Sequence, residues 1–385
     1  MAKLFWWELK GFFKRPRNLI VLLLLFLPII FYIIYGNVNN AKETDAYYLK
    51  IYTQNISNYD GQALNENLIY GDTPKLYAYQ DISSLLNKTN NYYKQNDSEN
   101  ELATRIEADR AKLQHYEDEG ITLSFIDYDA TAVENELNKL LYLQENNLQF
   151  VYEPTAMNAL NFIRQFSISP FYYFLIVTVI YLACDNLYYE QEQGALKTLV
   201  TLPISRWKIE LVRILAILIG ILTSVFLILG LCTLLFLVIN GYGISNYPVA
   251  YLQAGISSHS VELPIIYEYF HLSTYDAYFL RQLLLVIVAL VLLALLASVL
   301  LNNSIQAIIA MVIFIFGSDQ LFSLLNIPQF SIFKYFDTDA IISGANLSLN
   351  NNQITLTFGL IILGLFSLLF LIGSLIIFTK KDLEI

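Results

Sequence analysis

Apolar residues in this chain gather into six blocks of about 17–30 residues, almost free of charge and separated by polar stretches. Blocks of that length cross a hydrocarbon layer of roughly 30 Å at 1.5 Å of helix rise per residue. They fall at residues 19–35, 170–188, 209–240, 281–301, 305–327 and 357–378. The pattern predicts an all-α polytopic membrane protein with six transmembrane helices. The third block is long enough that its helix must tilt or project from the bilayer.

Ahead of the first block, residues 1–17 mix Leu4, Phe5, Leu9, Phe12 and Phe13 with Lys3 and Glu8 and end at Pro16. Such a helix is amphipathic and suits a membrane interface, with Trp6 and Trp7 as an aromatic belt and Lys10, Lys14 and Arg15 as its basic side. No small-residue cleavage site follows Tyr35, so the first block, residues 18–35 with its flank, is expected to stay as an anchor.

Residues 36–169 are polar and long enough for a domain of their own. Residues 84–117 and 131–146 are rich in Leu, Glu, Lys, Asn and Gln without proline, and Leu102, Ile106 and Leu113 share a helix face, which predicts a helical hairpin. Residues 47–52 and 121–128 alternate apolar and polar positions as short strands do. The insert is therefore expected to be mainly helical or α+β. Residues 170–385 carry the remaining five spans, with a loop at 189–208. Residues 328–350 are too apolar for a plain loop and too short to span.

The N-terminus, the 189–208 loop and Lys380–Lys381 are the basic flanks, and an excess of cations marks the cytoplasmic side. Both termini are then cytoplasmic in a bacterial membrane, and residues 36–169 are outside. The chain is 385 residues long, 56% hydrophobic and 15% charged, too apolar for a soluble core of that size to bury. Its net charge of -10 comes from the insert, where acids outnumber bases about two to one. A one-signed surface of that kind raises the local concentration of cationic solutes, although the same acids also simply solvate a domain. Cys184 and Cys232 both lie in apolar blocks, so no disulfide framework is expected in the insert.

The 189–208 loop contains Glu190, Gly194, Leu196, Leu199, Pro203, Ser205 and Arg206: an acidic residue, a glycine followed by alanine, a Leu-containing apolar turn, then Pro-x-Ser-Arg. A short helix that follows glycine and stops at proline fits this run. Together with the six-span layout, the N-terminal amphipathic helix and the re-entry after the fifth span, it resembles the permease subunits of type-2 ABC exporters. The large insert resembles the subgroup with an extracytoplasmic domain between the first and second spans. That resemblance implies that the seven residues form a coupling helix docking on separate ATPase subunits, that residues 328–350 re-enter from outside, and that a second permease copy or a homologue completes the channel. A short helix held between two spans transmits a push to both.

The chain has no Gly-x-x-x-x-Gly-Lys-Ser/Thr phosphate loop, so no cofactor is expected on it, and ATP and Mg would be bound by the partner. His115, His259 and His271 lack metal-ligand spacing, and no Gly-x-Ser-x-Gly elbow occurs. The chain is therefore expected not to be an enzyme, to hold no metal and to bind no nucleic acid; membrane lipid is its surroundings. Asp185 and Asp319 are the acids at membrane depth and are candidates for a pathway or a subunit contact. The function expected is export of an amphipathic or hydrophobic cargo, with peptides and antimicrobials the leading class. The rivals are export of lipid or glycopolymer, and a non-transporting membrane sensor coupled to an ATPase.

Overall fold

Long proline-poor apolar runs and Leu/Glu/Lys/Asn-rich segments both favour helix, and helix dominates the computed structural model of the protein. It describes residues 1–123, 129–150, 158–192, 203–251, 267–301, 303–345 and 354–380. The elements are α1 (Ala2–Lys14), α2 (Pro16–Tyr70), α3 (Pro74–Lys94), α4 (Ser98–Glu119), α5 (Ala130–Glu145), α6 (Ala159–Ile168), α7 (Pro170–Glu192) and α8 (Arg206–Asn240). They continue with β1 (Pro248–Tyr251), β2 (Glu268–His271), α9 (Leu272–Leu300), α10 (Ser304–Leu324), α11 (Thr338–Ile342) and α12 (Leu356–Lys380). The chain divides into two units: Met1–Ile34, Asn158–Gly243 and Thr274–Ile385 form the first, and Tyr35–Met157 and Ile244–Ser273 the second.

In the first unit, α1, α6, α7 and α12 all pack on α8, and α10 packs on α7. Four helices, α8, α9, α10 and α12, are long and apolar enough to cross a membrane. A fifth span results if α6 and the Pro170–Asn186 part of α7, bent by 73° at their junction, count as one. The bend has a local cause. Pro170 forces Ser169 into extended backbone at φ -76° and ψ 156°, and the Ser169 hydroxyl donates to the Phe166 carbonyl at 2.8 Å. The apolar part of α2 described here, Pro16–Phe31, is shorter than a full crossing. The multi-pass character expected from the apolar blocks is thus present, with four or five such helices among the described residues.

In the second unit, the stretch expected to be helical at 84–117 is two helices packed side by side, α3 and α4. The chain turns between them because Asn96 adopts φ +58° and Asp97 caps α4 by accepting from the Asn100 amide at 3.2 Å. Thr73 caps α3 in the same way, with Pro74 opening the helix. Tyr59, Leu76, Tyr79, Ile82, Leu86, Ala108 and Ile121 form one apolar core. Leu102 and Ile106 are buried as the periodicity predicts, and Leu113 is half-buried.

The strand expected at 47–52 is overturned: those residues are helical, within α2. Tyr48, Tyr52, Tyr59 and Ala63 recur at helical spacing on its buried side, so the alternation over six residues was too short to reveal the longer period. Residues 121–123 carry no strand either, and 124–128 lie outside the described residues. Among the described residues the strands are β1 and β2, an antiparallel pair from Pro248↔His271 to Tyr251↔Glu268.

The buried face of α4 also carries charges of alternating sign: Glu101, Arg105, Asp109 and Lys112. Tyr52 donates to Glu101 at 2.7 Å, Arg105 pairs with Glu136 at 3.0 Å, and Lys112 pairs with Asp109 at 2.8 Å. Burial holds the Glu101 carboxyl above its ordinary pKa, against the Tyr52 hydrogen bond and the attraction of Arg105. A raised native pKa means that the fold prefers the protonated acid. Glu101 therefore works against folding at neutral pH, and that opposition disappears as pH falls through its native value. Glu101→Gln is expected to raise the unfolding midpoint at neutral pH by an increment that shrinks on acidification. Tyr52→Phe, which removes the donor, is expected to lower stability by about 1–3 kcal/mol. Thermal melts across pH decide the matter: parallel curves for wild type and Glu101→Gln would remove Glu101 from this role.

Candidate functional site

The amphipathic N-terminus forms α1, with Trp6, Trp7, Lys10 and Lys14 exposed and Glu8 and Phe12 buried. Trp6 retains 66% of its surface. Phe12 lies against α8 where Gly220 leaves room: a Cβ at 220 would come within 2.8 Å of the Phe12 ring. Pro16 then sets the break between α1 and α2, because the residue before a proline is pushed to extended backbone, and Arg15 adopts φ -70° and ψ 119°.

That break turns Arg15 inward, away from the exposed basic side on which the sequence pattern put it. Its guanidinium donates to the Asn186 carbonyl at 2.9 Å and to the Asn186 Oδ1. Asn18 Nδ2 donates to the Phe12 carbonyl at 2.8 Å and to the same Oδ1 at 3.3 Å. Asn186, only 1% exposed, thus joins α1, α2 and α7. Beside it Asp185 is buried and pairs with Arg17 at 3.6 Å. The sequence pattern singles out Asp185 and misses Asn186 and Asn18. The available signal was a pair of asparagines flanking apolar blocks, each next to a charged residue.

Of the residues expected to form the coupling helix, Glu190 lies in the last turns of α7, while Gly194, Leu196 and Leu199 fall outside the described residues. Pro203 is exposed, Ser205 is the residue that opens α8, and Arg206 is its first helical residue. One turn further on, Arg213 donates to Glu210 at 3.1 Å, and Ser374 of α12 donates to Glu210 at 3.2 Å. The Arg213 guanidinium lies 5.8 Å from the Phe378 ring centre. Both charged residues are 1% exposed. This pair escaped the reading of the sequence, although an acid and a base at i and i+3 in an apolar run is a visible mark.

At the opposite ends of these helices, Asp319 of α10 accepts from the Ser331 hydroxyl at 2.8 Å and pairs with Lys334 at 3.6 Å. The segment carrying those two residues folds as two 3-10 turns, Pro328–Phe330 and Phe333–Tyr335, followed by α11. Gln282 of α9 donates to the Tyr335 carbonyl at 3.2 Å, and Tyr172 of α7 to the Phe336 carbonyl at 2.7 Å. Tyr275 of α9 donates to Asp339 at 2.5 Å and also meets Ser167. Burial raises the Asp339 pKa, opposed by the Tyr275 hydrogen bond and by Arg164. Asp319 therefore has a partner set within its own chain. It pins an irregular segment whose backbone polar groups need such partners in apolar surroundings.

The chain matches no family model, no curated protein and no solved structure. Its chemistry must be read from its own residues. Cys184 and Cys232 are buried free thiols. His115 contacts Glu119 at 3.0 Å and Asp81 at 3.3 Å, and His271 contacts the Tyr142 hydroxyl at 3.2 Å. Among the described residues no group of three His, Cys, Asp or Glu side chains is arranged to hold a metal. The arrangement built with most care is the junction centred on Asn186, with the Glu210–Arg213 pair on the neighbouring helix. Both are sets of buried polar contacts that join helices.

Proposed function

We propose that this chain is the membrane-spanning permease subunit of an ATP-driven ABC exporter in a bacterial membrane. In this reading it has six spans and cytoplasmic termini, and residues 36–169 are outside. It works with a second permease copy or homologue, and a separate ATPase subunit binds ATP and Mg. The cargo is amphipathic or hydrophobic, with peptides and antimicrobials the leading class.

One observation carries the reading. The amphipathic helix α1 grips both helices that flank residues 193–202, α7 through Arg15 and Asn186 and α8 through Phe12 and Gly220. The Glu210–Arg213 pair ties the start of α8 to α12. A force applied by a partner to the 189–208 segment would pass into α7 and α8 and from them into α1 and α12 through buried contacts, which suits a coupling device. Residues Glu190, Gly194, Leu196, Leu199, Pro203, Ser205 and Arg206 would form its docking face.

The test is co-purification of the full chain with the ATPase subunits encoded beside it, followed by ATP turnover. The wild type is expected to bind and stimulate the ATPase, and the Leu199→Asp/Arg206→Glu variant to lose both. Wild-type protein that recruits no ATPase would end the permease reading. Stimulated turnover without movement of any cargo would favour a sensor.

A further inference from the structure

The second unit carries an apolar surface that its own core does not need. Leu68, Ile69 and Tyr70 close α2 without burying themselves, Leu68 keeping 75% of its surface and Tyr70 70%. Tyr77, in the first turns of α3, and Tyr116, in the last turns of α4, are also exposed. These positions fall where α2 ends, α3 begins and α4 ends, and that corner holds a cleft lined in part by Tyr70, Lys75, Glu66, Asp118 and Glu119. The adjoining core residues Leu76, Tyr79 and Ile121 are buried in the usual way, so the exposed side chains are not an extension of an unfinished core.

Exposed aromatic and aliphatic side chains grouped at one corner mark a contact surface more often than single exposed leucines do. The charge around them selects the partner. Three carboxylates line the cleft against one lysine, and Glu117 and Asp72 stand beside it in the chain. Such a rim repels anionic lipid headgroups and acidic proteins. It attracts a partner that carries cations on one side and apolar residues on the other. We propose that this corner of the insert is a docking surface for a cationic amphipathic peptide, whose apolar face lies on Tyr70, Tyr77 and Tyr116 and whose lysines or arginines meet Glu66, Asp118 and Glu119. The inference stands apart from the permease reading, because docking requires no ATPase and no transport.

The test uses the full chain in zwitterionic lipid nanodiscs, with empty nanodiscs as the blank, titrated with a fluorescent leucine–lysine amphipathic peptide and with its leucine–glutamate counterpart. The cationic peptide is expected to bind more tightly, with an affinity that falls as salt rises. Tyr70→Ser/Tyr77→Ser and Asp118→Lys are each expected to weaken binding about tenfold while leaving the unfolding midpoint in place, since these side chains are exposed. Photo-crosslinking of the peptide to the wild type supplies a readout that does not depend on the variants folding, and the crosslinks are expected at residues 66–77 and 115–119. Equal binding of the two peptides, unchanged affinity in folded variants, crosslinks elsewhere, or binding no greater than to empty nanodiscs would each overturn the proposal.

Discussion

Arg213→Met is expected to destabilise the protein by about 3–5 kcal/mol, the loss that follows when one member of a buried ion pair is removed and the other stays. Glu210 and Arg213 are each 1% exposed, and the guanidinium is what holds Glu210 from within its own helix. The double variant Glu210→Gln/Arg213→Met is expected to recover most of the loss. It keeps the acceptor for Ser374 and removes both charges of the pair together. Apparent unfolding midpoints in detergent give the comparison. If the single variant melts within about 1 kcal/mol of the wild type, the pair is not an anchor, and water must reach Glu210.

Asn186→Leu carries the second large effect, about 2–4 kcal/mol, because it strands buried donors of both Arg15 and Asn18 around one side chain. The backbone carbonyl of residue 186 remains for Arg15, so the loss should stop short of complete release. Arg15→Met alone should cost less than Asn186→Leu, and the two together less than their sum, since each removes a contact the other has already lost. Hydrogen exchange separates this junction from a general loosening. Protection should fall first across residues 2–18, while the α3–α4 core keeps its own. Uniform loss of protection would mean that Asn186 is ordinary packing.

The apolar blocks and the amphipathic N-terminus were legible in the sequence because each rests on a pattern that local physics enforces over many residues. Helices α8, α9, α10 and α12 follow blocks read directly from hydropathy. The helical parts of the insert were legible for the same reason, through composition and the Leu102–Ile106 spacing. What escaped depends on contacts distant in sequence. Tyr48 and Tyr52 look like a strand in a window of six residues, and only Tyr59 and Ala63 further along show them to be one side of a helix. The pairing of β1 with β2 joins segments separated by residues 252–267, and neither segment has the length to announce itself.

The candidate site divides along the same line. Trp6, Trp7, Lys10 and Lys14 are exposed on α1, whereas Arg15 turns inward because Pro16 breaks the helix just beyond it. Asp319 was marked as unusual by its place within the fifth apolar block. Its partners Ser331 and Lys334 come from an irregular segment whose path no periodicity encodes. Gly220 has no side chain by which to be noticed, yet its missing Cβ is what admits Phe12.

The contact between Arg15 and Asn186 spans 171 residues of chain, and this fixes an order of events during synthesis. At 5–20 residues per second, roughly 10–35 s separate the appearance of Arg15 from that of its partner. Throughout that interval Phe12 has no Gly220 to lie on, and Asn18 lacks one of its acceptors. A bilayer surface is the solvent that can hold such an amphipathic segment meanwhile, with its aromatic side inserted and its lysines in water. Docking of the N-terminal helix on α8 therefore waits until Gly220 has been made, which places it among the late steps by which the newly made bundle closes.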